Sequence, residues 1–374
     1  MSWIQAGQIF AGIVWRDLFD SRAAPLELQR HVDAALGWLC RAQDKCGDGV
    51  SYGYSLRGGW KPPYRETTGY IVGTLLEAAQ QLRRADLDER ALRAAHWLVS
   101  IQNPDGSISN PSYGAGGIVF DTGQVLFGLV DAYQRSSDQV FLRAAIDAGR
   151  WLVDVADESG RWTRNEHFGT PHVYNARSAW ALLRLNGVAP DAAFERIARR
   201  NLDWAVESQH SGGLFRDAAF RRGDNPYTHN ISYTICGLQE SGWILGDSTY
   251  VEAGRRAADA VLKLQGEDGF VPGQITVEGG PAARYACLTG SCQLSTVWAR
   301  IFEATGDSVY RDAARRALRY VMSTQMTAEQ APEQVRGAIA GSFPIWGRYA
   351  PLSYPNWATK FFVDAALLQR AWET

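Results

Sequence analysis

The chain has 374 residues, of which 46% are hydrophobic and 21% charged, and its 38 basic and 40 acidic side chains leave a formal charge of −2. That balance provides no basic field for a polyanion, so nucleic acid is excluded as a partner. Charges interrupt every apolar stretch before the roughly 18 residues a membrane helix needs, and the five cysteines show no metal spacing and suit a reducing compartment, so a soluble, cytoplasmic protein is expected.

The first 25 residues carry an apolar run from Ile9 to Trp15 that follows no basic stretch and precedes no small-residue cleavage site. They read as a segment packing on the rest of the chain, not as a signal peptide, with residues 26–374 as one domain. From there a phrase recurs roughly every 55 residues: Gln43 with Asp48-Gly49, Gln102 with Asp105-Gly106, Ser159-Gly160, Gln209 with Gly212-Gly213, and Gln265 with Asp268-Gly269. That period fits a pair of helices.

In chain order the first members of the pairs are 28–42, 91–101, 141–155, 194–208, 250–264 and 310–324. Their apolar positions fall at i, i+3, i+4 and i+7, with Arg, Asp and Glu on the opposite face. The second members, 66–82, 121–134, 173–185, 228–241, 289–305 and 355–370, are nearly free of charge over their first two turns and must be buried on most sides. Six half-wet helices alternating with six buried ones predict an all-α (α/α)6 toroid, an outer ring around an inner ring. An open α-solenoid with the same local pattern is the alternative.

In a toroid the inner helices run in parallel, so their N-termini converge on one mouth, with unpaired N–H groups and a partial positive charge. The loops leading there are long and rich in Gly, Pro, Tyr, Trp, Asn, His and Arg, which marks them as functional. Glu66 and Asp121 open neighbouring inner helices. Either alone reads as a first-turn acid serving the helix end, but two carboxylates at equivalent places facing one cavity are what glycosidic cleavage uses. His167, His172 and His229 lie in mouth loops, and His229, at the start of an inner helix, is the best placed to assist. The catalytic candidates are therefore Glu66, Asp121 and His229. The substrate-binding candidates are Trp60, Tyr64, His172, Tyr174, Asn175, Arg177, Tyr227, Asn230, Arg284, Tyr285, Trp346, Asn356 and Lys360: aromatic faces for pyranose rings, amides for hydroxyls, cations for an acidic group. No histidine pair has a short metal-binding spacing, so no metal is assigned, and no cofactor.

The phrases Gln102-Asn-Pro-Asp-Gly and Gln265-Gly-Glu-Asp-Gly resemble the repeat of squalene cyclases and protein prenyltransferases. The resemblance implies the toroid fold and not an activity. The cyclase acid motif Asp-x-Asp-Asp is absent, Asp86-Leu-Asp-Glu coming nearest, and so is the prenyltransferase Asp-x-Cys. Tyr64-Arg-Glu-Thr-Thr-Gly-Tyr and Tyr354-Pro-Asn-Trp-Ala-Thr-Lys-Phe-Phe look like phrases of toroid proteins found among bacterial polysaccharide-biosynthesis genes. Sugar-active toroids include glycoside hydrolases, polysaccharide lyases and N-acylglucosamine 2-epimerases. The expectation is a carbohydrate-active enzyme, glycoside hydrolase-like, on a neutral or anionic saccharide; elimination or epimerisation through His and Tyr, an isoprenoid cyclase, and a noncatalytic glycan-binding scaffold are the alternatives. A terpene site should be lined almost wholly by aromatics around one concentrated acid cluster, a sugar site by carboxylates, amides and arginines.

Overall fold

The computed structural model describes residues 3–372, with side chains from Ile9 to Trp372. The outermost residues of the expected N-terminal segment and of the expected domain, 1–2 and 373–374, lie outside it. An N-terminal helix α1 (Trp3–Leu18) precedes six helix pairs. The outer members are α2 (Leu28–Asp44), α4 (Ala85–Ser100), α6 (Gln139–Val155), α8 (Ala192–Glu207), α10 (Ser248–Leu262) and α12 (Ser308–Thr324). The inner members are α3 (Arg65–Leu82), α5 (Val119–Ser136), α7 (Ala176–Asn186), α9 (Thr228–Leu245), α11 (Leu288–Thr305) and α13 (Asn356–Arg370). The twelve fall within a few residues of the periodicity reading. α4 departs most, beginning at Ala85 ahead of the expected 91, and α7 begins late because Val173–Asn175 form a separate 3-10 turn ahead of it.

Termini differ systematically between the rings. Asp138, Asp191, Asp247 and Asp307 cap α6, α8, α10 and α12 by accepting a backbone N–H two residues on. Inner helices begin without a side-chain cap and several end on a left-handed residue, Arg83, Ser137, Gly246 or Gly306, which turns the chain sharply into the next outer helix. The inner-to-outer connections are therefore short, and the long loops all lie at the N-terminal end of the inner ring.

The repeated phrase is the fastener of the outer ring. Gln102 donates its side-chain amide to the carbonyls of Gly106 and Ala144, Gln209 to those of Gly213 and Ala253, and Gln265 to that of Ala313, each tying one outer helix to the next. Gly106 and Gly269 adopt φ of +90° and +92°, and a Cβ on either would collide with the backbone of the following outer helix. The same device closes the circle: Gln325, after α12, donates to the carbonyls of Gly337 and of His31 in α2. In the inner ring α13 packs on α3 and on α2. The array is therefore a closed toroid, not an open solenoid.

Inner helices approach one another at small residues. A Cβ on Gly69, Gly237 or Gly290 would lie 2.3–2.6 Å from atoms of the adjoining inner helix. Five short strands, not anticipated from sequence, pin the mouth loops. β1 (Gly53–Ser55) lies between β2 (Gly59–Trp60) and β5 (Ser353–Pro355), and β3 (Ala286–Cys287) pairs with β4 (Ser342–Phe343), all antiparallel. β1 and β5 join the first and last repeats, a second closure at the mouth. In α1, Ile13 is buried in the core and Asp17 accepts the N–H of Ile345 at 2.8 Å. No described helix is long and apolar enough to cross a membrane.

Candidate active site

The mouth holds a cavity of about 290 Å³ lined by nineteen residues, twelve of them Phe, Tyr or Trp. Glu66, His167, His229, Asn230 and Arg348 supply most of its polar groups. Tyr70 and Tyr233, one turn deeper in α3 and α9, contribute to its inner end.

Glu66 sits in the first turn of α3, buried, with its carboxyl facing this cavity. Burial is the main cause that lifts its pKa to about 8, the neighbouring Asp121 adds to the rise, and His167, a hydrogen bond from Tyr64 and Arg177 oppose it. Burial thus favours the protonated form of Glu66, the form that can give a proton.

Asp121 is fully buried and does not line the cavity. Its Oδ2 accepts the amide of Asn110 at 2.8 Å, and its Oδ1 lies 2.7 Å from Nε2 of His167. A carboxylate can only accept, so Nε2 carries the hydrogen. Burial lowers the His167 pKa, but the charge and hydrogen bond of Asp121 outweigh it and the net shift is upward. His167, which does line the cavity, is thus held by Asp121 from behind, and no hydrogen bond engages its Nδ1 among the described residues. The sequence suggested that each carboxylate might serve only its helix end. For Asp121 both oxygens instead go to side chains from other loops.

One oxygen each of Glu66 and Asp121 and one nitrogen of His167 lie within 4.8 Å of one another. Two oxygens and an imidazole nitrogen so close form a set able to ligate a divalent cation, a possibility the histidine spacing alone did not show. Asn110 bridges the group by donating also to the Tyr64 hydroxyl at 3.0 Å. Behind it, buried Glu166 accepts the amide of Asn175 at 2.8 Å, and burial pushes its carboxyl well above the usual range. Neither Asn110 nor Glu166 was picked out from sequence. Each directly follows a residue at which a mouth loop is clasped, at the Ser109–Gly117 bridge and the Asn165–Gly117 hydrogen bond, contacts that periodicity does not encode.

Across the cavity, Nδ1 of His229 lies 2.8 Å from the side-chain oxygen of Gln293, so Nδ1 donates and Nε2 is left as an acceptor. Burial drives its pKa down to about 3, so it is neutral throughout the physiological range. Asn230 beside it is buried with no hydrogen-bond partner for either amide atom.

Of the binding candidates, Tyr64, Tyr174, Tyr227 and Asn230 line the cavity with Glu66 and His229. The others do not. His172 stacks on Tyr174 and donates Nε2–H to the His167 carbonyl at 2.9 Å. Asn175 holds Glu166, and Asn356 donates to the Ser51 carbonyl at 2.8 Å. Trp60 packs on Trp38 and Tyr54, while the Tyr285 hydroxyl donates to Gln274. Arg284 and Trp346 are exposed on the surrounding loops. Arg177 and Lys360 line a different cavity deeper in the ring: Lys360 stands more than one turn into α13, and Arg177, though second in α7, follows the 3-10 turn Val173–Asn175 and reaches Gln124 of α5.

The family model of the squalene-hopene cyclase C-terminal domain matches residues 61–246. No curated protein matches the sequence. Among solved structures the chain is similar to an unsaturated glucuronyl hydrolase specific for heparin, at 14% identity over 93% of this chain and 98% of that one, with a TM-score of 0.74. It is also similar to the unsaturated glucuronyl hydrolase of Bacillus sp. GL1, described as responsible for glycosaminoglycan degradation, at 18% identity over 92% and 96% with a TM-score of 0.71. A third is the cellobiose 2-epimerase of Bacillus thermoamylovorans B4167, at 13% identity over 92% and 98% with a TM-score of 0.70. Closed by Gln325 and matched over nearly its whole length to these structures, the chain has the α/α-toroid fold.

Proposed function

We propose that the protein is a glycan-acting enzyme whose mouth takes the terminal unit of a saccharide and cleaves its linkage by acid catalysis, with Glu66 as the proton donor. One observation carries this reading: a buried carboxyl in the lining of an aromatic cavity, its pKa raised by burial, beside an imidazole that a buried aspartate holds in place. The toroids it resembles in fold, which hydrolyse unsaturated glucuronyl compounds or epimerise cellobiose, support it.

As Glu66 transfers its proton to the bridging oxygen and the bond from that oxygen to the anomeric carbon breaks, a water adds to that carbon and its proton returns to Glu66, whose carboxylate is meanwhile left in a poorly solvated place. The cationic form of His167, favoured by Asp121, would stabilise that charge and thereby lower the barrier. Asp121 is a positioning residue in this scheme, since it touches His167 and not the cavity. His229 and Asn230 offer a neutral acceptor and a free amide to sugar hydroxyls, and the tyrosines offer flat faces to the ring. The cavity is small for a ligand site, which suits one end unit better than the middle of a chain. Arg348, the one Lys or Arg in the lining, would meet the carboxylate of an acidic sugar. The resemblance of the Tyr64 and Tyr354 phrases supports a place in polysaccharide biosynthesis, and the five free cysteines support a cytoplasmic location.

A second reading has its own support. The aromatic lining and the concentrated acid group are what an isoprenoid cyclase needs: a carboxylic acid to protonate an alkene, and ring faces to stabilise the resulting cation. The squalene-hopene cyclase match falls on the repeats that carry Glu66, Asp121 and His167.

The test is turnover of end-labelled neutral and uronic oligosaccharides, saturated and unsaturated, followed by mass spectrometry beside linear isoprenoids. Release of the terminal sugar by the wild-type chain and not by Glu66→Gln supports the first reading. Cyclisation of an isoprenoid with no saccharide turnover replaces it by the second.

A further inference from the structure

Deeper in the ring, between α3, α5, α7 and α13, lies a second cavity of about 550 Å³. Tyr70 lines both cavities and so forms part of the wall between them. The lining of the second is charged, with Arg135, Arg177, Arg184 and Lys360 against Glu77, Asp131 and Asp364. Most of these cations are matched: Arg184 pairs with Asp131 at 2.8 Å, Lys360 with Asp364, and Arg135 with Asp88.

Arg177 is the exception. Its side chain is 6% exposed, its Nε donates to the neutral side-chain oxygen of Gln124 at 2.7 Å, and among the described residues it forms no ion pair. The rings of Phe127, Tyr233, Trp180, Phe361 and Tyr70 surround it, with centroids 4.9–6.0 Å from Cζ. Rings hold the guanidinium in place and supply some attraction, but they cannot accept its in-plane hydrogens as an anion does. A guanidinium cannot shed its charge to escape burial, so the arrangement is incomplete without a counter-charge or water in the cavity beside it. Lys360 is equally buried and offers further N–H donors beyond the one on Asp364. Glu77 is exposed at the rim, where Gln81 donates to it, and so does not neutralise the interior.

We propose that this rear cavity is a second binding site, which takes a small oxyanion, a phosphate or an organic carboxylate, on the terminal nitrogens of Arg177 with Lys360 as the second donor. A planar fork of N–H groups fixed by surrounding rings is preorganised for such a ligand, and the cavity has room for a small organic body attached to it. The site shares no ligand-contacting group with Glu66, His167 or His229, so it stands whether or not the mouth acts on glycans.

Calorimetric titration of the full-length protein with inorganic phosphate and, separately, malonate at constant ionic strength tests it. Saturable binding of one anion per chain is expected, phosphate or malonate identifying which oxyanion is preferred. Arg177→Gln should weaken it about tenfold or more, Lys360→Met should weaken it too, and Glu77→Gln should leave it equal or tighter. Crystals soaked in selenate should show the anion against Arg177, a readout that does not depend on how well the Arg177 variant folds. Absence of saturable binding for both anions, binding unaltered in Arg177→Gln, or selenate located only in the mouth would overturn the proposal.

Discussion

The imidazole of His167 lies 2.7 Å from the Asp121 carboxylate, joining a connecting loop to the first turn of an inner helix 46 positions earlier. The contact makes the ring more basic and fixes its orientation, while removing Asp121 from direct contact with the cavity. The acid–base pair expected from sequence, Glu66 with Asp121, thereby becomes a proposed group of three in which Glu66 and His167 face the ligand.

Glu66→Gln is expected to lower kcat/KM by about 10²–10⁴-fold on any substrate the mouth turns over, because the amide keeps the shape and cannot transfer a proton. Circular dichroism and melting should show an intact fold. Turnover within a few-fold of wild type would remove Glu66 as the acid.

Asp121→Asn should act through His167. Without the carboxylate charge, burial dominates and the imidazole loses its protonated form at lower pH. The pH profile should shift accordingly and the His167 ring resonances should titrate at lower pH by NMR. A loss of rate with no change in either titration would show that Asp121 serves the fold alone.

Glu66 also links stability to pH. Its folded pKa of about 8 exceeds the usual 4.5, so the folded chain holds a proton that the unfolded chain has released between those values. Stability contributed by the protonated form is complete below about pH 4.5 and is lost as pH rises towards 8. Glu66→Gln removes this dependence, so the variant should gain stability relative to wild type at pH 9 compared with pH 5, measured by urea midpoints. An equal difference at both pH values would contradict the buried, protonated assignment.

With a pKa of about 3, His229 does not titrate in the working range. Replacing it by Gln should raise KM by weakening hydroxyl recognition and leave the shape of the pH profile unchanged. Disappearance of a limb of that profile would identify His229 as a titrating catalyst instead.

Gln325 and Gly337 stand where the outer ring closes. Gln325→Leu leaves the Gly337 carbonyl and Nδ1 of the buried His31 without a partner and should destabilise by about 1–3 kcal/mol. Gly337→Ala should do more, since φ is +87° and a Cβ would meet the Ala34 carbonyl oxygen. Urea midpoints unchanged in both variants would mean that the ring is held elsewhere.

The repeated Gln and Asp-Gly phrase, and the change from half-charged to uncharged helices, were enough to place all twelve ring helices, because burial and capping are local demands written into consecutive residues. Closure was not local. It depends on Gln325 meeting His31 and on β1 pairing with β5, contacts between chain ends that an open solenoid would lack. The mouth was legible as a set of loops, and Glu66, Asp121 and His229 were singled out from their places at helix starts, of which Glu66 and His229 line the cavity. Which side chains face the ligand was decided only in three dimensions. Arg177 and Lys360, read as mouth residues, enter the rear cavity, while Asn110 and His167 arrive from loops whose conformation no periodicity encodes. Helical phase follows from the chain itself, but the depth of a residue in a ring and the direction of a loop follow from what packs against them.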